Sequence, residues 1–195
     1  MKRFAEAISL LFHFIFIAPI SILLIMQNYP IAEGNWSWLY PLVLFLAYYV
    51  SPLIVIVLFK QSRLISDFDV TDRRERNLLN LVLFLVVLSV SVGLLFAPVP
   101  AVYKFNNTYM ILFVPIFGIV TYFWKISYHM GALGWFLSTV GFLYGLTPVF
   151  IISAGVLSIA MSWSRVYLKK HTLFQTIAGL LLSISLYYFL SIIML

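Results

Sequence analysis

Cysteine is absent from the 195 residues, which excludes disulfides, zinc–thiolate sites and a cysteine nucleophile. Charge is scarce too: 9% of the chain is Asp, Glu, Lys or Arg, against 64% hydrophobic residues. The shortage is one-sided, with six carboxylates facing twelve basic side chains and a formal charge of +6. The basic residues sit in short connections between apolar runs, so they form no continuous nucleic-acid footprint. No soluble segment, internal repeat or low-complexity tract interrupts residues 1–195, which read as one transmembrane domain. Mean hydropathy is +1.07, far above that of a soluble domain, and makes this an integral membrane protein whose solvent is the lipid bilayer.

The apolar runs predict an all-α, polytopic bundle of about six to seven spans. Lys2 and Arg3 precede a run from Ala5 to Met26, long enough to cross about 30 Å of hydrocarbon and followed by no small-residue cleavage site. It is read as an uncleaved first helix, and His13 within it as a histidine bonded to a neighbouring helix or facing the bundle, in preference to a catalytic role. Pro30, Gly34 and the belt residues Trp36, Trp38 and Tyr40 mark an interface. A second span runs to Phe59 with Pro52 as a kink, and Lys60 to Asn77 is the longest polar stretch. Spans follow at Leu78–Ala97 and Thr108–Trp124, separated by a loop holding Pro98, Pro100, Asn106 and Asn107. Met130–Trp163 is too long for one helix and is divided in two at Gly145 and Pro148. The last span is Thr172–Leu195. On this layout eleven basic residues fall on one side of the membrane and Lys104 alone on the other, so the positive-inside rule puts the polar clusters on the cytoplasmic face of an inner or plasma membrane.

One polar stretch lies at the junction of two of these runs: Ser164-Arg165-Val166-Tyr167-Leu168-Lys169-Lys170-His171-Thr172-Leu173-Phe174-Gln175. Arg165 cannot lose its charge, and its planar fork matches a phosphate or carboxylate edge. His171 opens the last run, where a helix N-terminus also favours an anion. Gln175, four residues on, shares its face and is expected to bond the imidazole.

This pattern resembles the third signature, S-R-x5-H-x3-D, of the type 2 phosphatidic acid phosphatase superfamily. Ser164, Arg165 and His171 match in spacing, and Gln175 stands in place of the aspartate. Lys125-Ile126-Ser127-Tyr128-His129 resembles the second signature, P-S-G-H, keeping Ser127 and His129 with Ile126 and Tyr128 substituted. For the first signature, K-x6-R-P, the arginine would be Arg76, while Asp69 and Asn77 replace the lysine and proline. Arg73, three residues before Arg76, would lie on the same helix face and cover for the missing lysine. The resemblance covers residues 69 to 175, with a family-like core at 69–195. In each interval between signatures the apolar length suits two crossings, which returns all three clusters to one face.

The resemblance implies a metal-independent lipid phosphatase without cofactor. His171 would attack phosphorus to form a phosphohistidine and His129 would protonate the leaving oxygen. Arg73, Arg76, Ser127 and Arg165 would bind the phosphate, with Lys125 as a nearby cation and Gln175 holding the nucleophile's ring. The substrate class would be a phosphatidate, a phosphatidylglycerol phosphate or an isoprenyl mono- or diphosphate. Gln175, Asp69 and Tyr128 prompt an alternative, a lipid-phosphate binding or transport protein with weakened or lost catalysis. A transferase using an alcohol in place of water is a further reading. Another takes Asp67, Asp69 and Asp72 as magnesium ligands for a diphosphate, as in membrane prenyltransferases, but needs a second acidic cluster that no other loop supplies.

Overall fold

The computed structural model describes residues 1–31, 35–68, 70 and 72–195, with the side chains of Phe14, Ile15, Asn35, Trp36 and Arg73 outside the description. The expected Gly34 turn, the Trp36 ring and Asp69 therefore lie outside it. The described residues are helical or in short connections, with no strand among them. Among the described residues six stretches are long and apolar enough to cross a bilayer: Lys2–Asn28, Ser37–Gln61, Arg74–Leu94, Ala101–Phe123, Pro148–Tyr167 and Leu173–Met194. The chain divides into two compact units, one of Met1–Leu24 with Ile126–Phe189, the other of Ile25–Lys125 with Leu190–Leu195.

The first unit begins with α1 (Lys2–Leu11), which is amphipathic: Ala5 and Ser9 are buried, while Lys2, Arg3 and Glu6 are exposed. Cations at a helix N-terminus oppose its dipole, so Lys2 and Arg3 serve membrane orientation better than helix stability. The helix breaks at Phe12 and His13 before α2 (Phe14–Asn28), so the first span is interrupted.

The second unit carries α3 (Asn35–Phe45), a π-helical turn over Leu46–Val50, and α4 (Ser51–Gln61) as one rod. Pro52 has no N–H to complete an α-helical ladder. The ladder widens just before it, and the Ser51 hydroxyl bonds back to the Ala47 carbonyl at 2.6 Å. The π turn lies just before the position at which the kink was expected. The helices α5 (Arg73–Leu94) and α6 (Ala101–Phe123) follow. Asn106 and Asn107, expected in a loop, lie inside α6 and are buried. Asn107 donates to the Ser91 carbonyl at 2.8 Å and its side-chain oxygen accepts from Tyr48, whose hydroxyl also meets Ser91 Oγ at 2.6 Å. An amide inside a membrane span must find such partners, and finding them lets the helix start at Ala101, about two turns before the apolar run. Trp38 has the exposure of a belt residue, but Tyr40 is buried edge-on to Tyr103 at 5.5 Å.

The first unit resumes with α7 (Tyr128–Tyr144), whose 17 residues span about 25 Å. It is buried along most of its length, with Met130, Leu133 and Leu137 packed on Met161. Gly145, at φ +84°, ends it, and Thr147 caps α8 (Pro148–Tyr167) by accepting from Phe150 N–H at 3.2 Å. The turn expected at Gly145 and Pro148 forms there. The last helix is α9 (Leu173–Met194).

Candidate functional site

The site residues of the first unit gather where α7 begins, α8 ends and α9 begins. The short Gly145–Thr147 connection makes α7 and α8 an antiparallel pair, so the start of one and the end of the other share an end. At that end Ser127 N–H donates to the Gln175 carbonyl at 3.3 Å. Small residues allow this closeness. A Cβ on Gly134 would stand 2.9 Å from the Leu180 carbonyl, and Ser183 Oγ donates to the Gly131 carbonyl at 2.6 Å.

Helix α8 ends in a hydrogen-bonded reversal: Lys169 N–H reaches the Val166 carbonyl at 2.9 Å and Lys170 N–H the Arg165 carbonyl at 3.0 Å. Lys169 takes the left-handed conformation, at φ 56°, that glycine usually fills. His171 N–H adds a bond to the same Arg165 carbonyl at 3.3 Å, which fixes the backbone of the arginine to that of the histidine. His171 is 6% exposed and Arg165 only 1%, so both are enclosed in protein.

Arg165 Nη1 donates to Ser9 Oγ of α1 at 2.6 Å, and the neighbouring Ser164 hydroxyl donates to the Ala5 carbonyl at 2.6 Å. His129, second residue of α7, lies edge-on to His13, with ring centroids 4.9 Å apart and planes at 81°. The two histidine-bearing segments of the sequence motifs are thus joined by backbone contact, and each also has a side chain in contact with the first helix. Ser9 was not expected to contribute, whereas the ring of His13 faces another helix, as its position in the first run led us to expect. The signal for them was the spacing Ala5, Ser9, His13, a stripe at every fourth residue that puts small and polar groups on one face of an otherwise oily run.

Two expectations change in detail. Gln175 bonds the backbone and not the His171 ring: its Oε1 accepts from Thr172 N–H at 3.1 Å while Gln175 N–H donates to Thr172 Oγ1 at 3.3 Å. This reciprocal pair caps α9, whose first N–H groups would otherwise lack acceptors. Ser127 is fully buried, and its hydroxyl accepts from Met130 N–H at 3.4 Å as the cap of α7.

The remaining candidates belong to the second unit. Arg73 is the first residue of α5. Arg76, 6% exposed, donates from Nε to the Val70 carbonyl at 2.6 Å. Lys125, half-buried, lies in the connection after α6. Asp72 caps α5 by accepting from Arg74 N–H at 2.8 Å, and Glu75 accepts from the backbone of Ser66 at 2.9 Å. Among the described residues no three His, Asp or Glu side chains group to hold a metal ion.

An apolar groove of about 590 Å³ runs between α8 and α9, lined by Ile159, Trp163, Val166, Leu173, Ile177 and Leu180 among others. It reaches the end of α8 at which Arg165 and His171 lie. The chain matches no protein-family model, no curated protein and no solved structure.

Proposed function

We propose that the chain is a multi-pass membrane phosphatase that removes the phosphate of a lipid through a phosphohistidine on His171. The observation that carries this reading is the bond from Ser127 N–H to the Gln175 carbonyl, which joins the stretch before His129 to the one after His171 at one end of the first unit. An imidazole nitrogen of His171 attacks phosphorus, and the bond to the leaving alkoxide breaks as His129 gives that oxygen a proton. Water then attacks the phosphoryl group, His129 takes its proton, and the P–N bond breaks to release inorganic phosphate. Arg165, held in a low-dielectric surrounding, offsets the charge on the equatorial oxygens. The groove beside α8 suits a lipid tail that stays in the membrane while its head reaches the polar end. A phosphatidate, a phosphatidylglycerol phosphate or an isoprenyl mono- or diphosphate fits this description.

The test is phosphate release by purified protein in detergent with chelator present, across a small panel of these lipids. His171→Ala and His129→Ala should each abolish release without lowering the melting temperature; retained turnover in either sinks the reading. A second reading, a lipid-phosphate binding or transport protein without turnover, is favoured by the engagement of the Ser127 hydroxyl in its cap. Binding of the same lipids with no phosphate released would select it.

The excess of basic residues in the connections supports a cytoplasmic face for this end of the unit, in an inner or plasma membrane. The cysteine-free chain makes this simple to check. Lys169→Cys in oriented vesicles should react with an impermeant maleimide only from the cytoplasmic side, and labelling from the other side reverses the assignment.

A further inference from the structure

The hairpin that carries Arg165 and His171 at its tip has a second property along its shafts. Helix α8 packs on α1 and α7 within the first unit, and its side toward α9 is left as the apolar groove. The groove starts at Val166, Tyr167 and Leu173, beside the polar end, and stops at Ser158 and Leu180. Ser162 and Thr176 bridge the two helices on the buried side, their hydroxyl oxygens 2.6 Å apart. Thr176 donates onward to the Leu173 carbonyl at 2.6 Å, so Ser162 is the donor of the bridge and both hydroxyl hydrogens are taken. One wall is aromatic: Trp163 stacks on Tyr167 with centroids 5.3 Å apart, and the ring of Phe4 stands 6.0 Å from that of Trp163.

The groove has a definite length. At a rise of 1.5 Å per residue, Tyr167 and Ser158 are about 14 Å apart along α8, and Leu173 and Leu180 about 10 Å apart along α9. A stretched chain advances roughly 1.2 Å per bond, as an extended peptide does, so the groove covers about ten carbons. Past Ser158 the wall ends. A Cβ added to Gly155, a turn further along α8, would meet nothing within 4 Å, and Val156 and Ile152 are exposed. A longer tail leaves the protein there and continues in the bilayer.

Hydrophobicity alone would not draw a tail from the membrane into the groove, because lipid is as apolar as the lining. Packing against fixed walls and the tether of a charged head would. A lipid phosphate whose head lies at the tip of the hairpin, between Arg165 and the exposed Lys169, begins its tail at Val166 and Leu173.

We infer that the groove is a tail subsite that reads about the first ten carbons of the substrate lipid and is indifferent to the rest. The inference rests on the reading above in one respect, that a phosphate head lies at the tip of the hairpin. It makes the chain tolerant of every tail longer than the groove.

The experiment uses the full chain in detergent micelles and alkyl phosphates from about six to about sixteen carbons, which bracket that length. The quantity read is the ratio of variant to wild-type Kd at each length; a micelle takes up a given lipid equally in both samples, so the ratio isolates the groove. Leu173→Trp fills the near end and Ile159→Trp the far end, while Ile152→Trp is the control on α8 outside the groove. All three replaced side chains are exposed, so the melting temperature should not change. Leu173→Trp should raise Kd about tenfold at every length, the lower part of the range for overpacking. Ile159→Trp should spare the shortest chain, raise Kd about tenfold near ten carbons and stay constant beyond. Ile152→Trp should have no effect. If Ile159→Trp melts early, Ser158→Phe fills the same end and repeats the test.

Ratios for Ile159→Trp that match those of Ile152→Trp overturn the inference. So does an Ile159→Trp effect that is already full at the shortest chain or still grows toward the longest. Phosphate release from the lipid panel is read alongside. Length-dependent ratios in a protein that releases no phosphate would keep the tail subsite and remove the phosphatase; release with ratios that ignore length would do the reverse.

Discussion

Gly179 of α9 lies against the backbone of Ser127, so closely that an added Cβ would stand 2.5 Å from the Ser127 carbonyl oxygen. That oxygen belongs to the cap of α7, two residues before His129, and the same segment bonds to Gln175. The approach of α9 to the start of α7 therefore depends on the absence of one methyl group.

Gly179→Ala should prise the two helices apart, because the obstacle is backbone and cannot rotate away. The expected cost is about 1–3 kcal/mol, as for other overpacked interiors. Gly155→Ala on α8 is the control, since nothing lies within 4 Å of its added Cβ. Melting temperatures in detergent decide the matter: the first variant should fall well below wild type and the second should match or exceed it. Equal values would mean that the contact at Ser127 is not tight in the membrane protein.

Thr172 and Gln175 should behave as one unit. Alanine at either is expected to cost about 1 kcal/mol of stability, the usual effect of losing a helix cap. The double variant should cost less than the sum, because both bonds belong to one reciprocal pair. Turnover should fall equally in Thr172→Ala and Gln175→Ala. A much larger loss at Gln175 would restore the role of ring holder to its amide and contradict the capping assignment.

The Tyr48, Ser91 and Asn107 cluster offers a third test, within the second unit. Asn107→Leu leaves the Tyr48 hydroxyl and the Ser91 carbonyl in an apolar interior without their amide partner. The expected cost is about 1 kcal/mol, in keeping with side-chain hydrogen bonds inside membranes. Tyr48→Phe together with Asn107→Leu should be less damaging than the two changes added, since the second removes a group that the first has already deprived. Additive unfolding free energies would show that the cluster is not cooperative.

Much of the helix plan was legible because length and hydropathy are local. A run of about 20 apolar residues crosses a bilayer whatever its neighbours are. Gly145 with Pro148 punctuates the α7–α8 turn by its own backbone preference. Asn106 and Asn107 misled the reading, because polarity suggested a loop where the side chains had found buried partners across the helix interface. Gln175 misled it differently. Two patterns overlap there, the histidine-spaced signature and Thr-x-x-Gln, which is also a helix-start pattern; the orphan N–H groups of α9 claim the amide.

The chain's hydropathy alone established an all-helical membrane protein, and its residue types, together with the resemblance of their spacing to the phosphatase signatures, nominated His129, His171 and Arg165. Tertiary structure decided which groups surround them. Ser9 and Arg165 are 156 positions apart, and His13 lies in the break after α1 while His129 belongs to α7, so the spacing within the first run could mark Ser9 and His13 but not the partner that each meets. Helical repetition is written in spacings of three and four residues, whereas the meeting of two helices depends on how small side chains such as Ala5, Gly134 and Gly179 let their backbones approach.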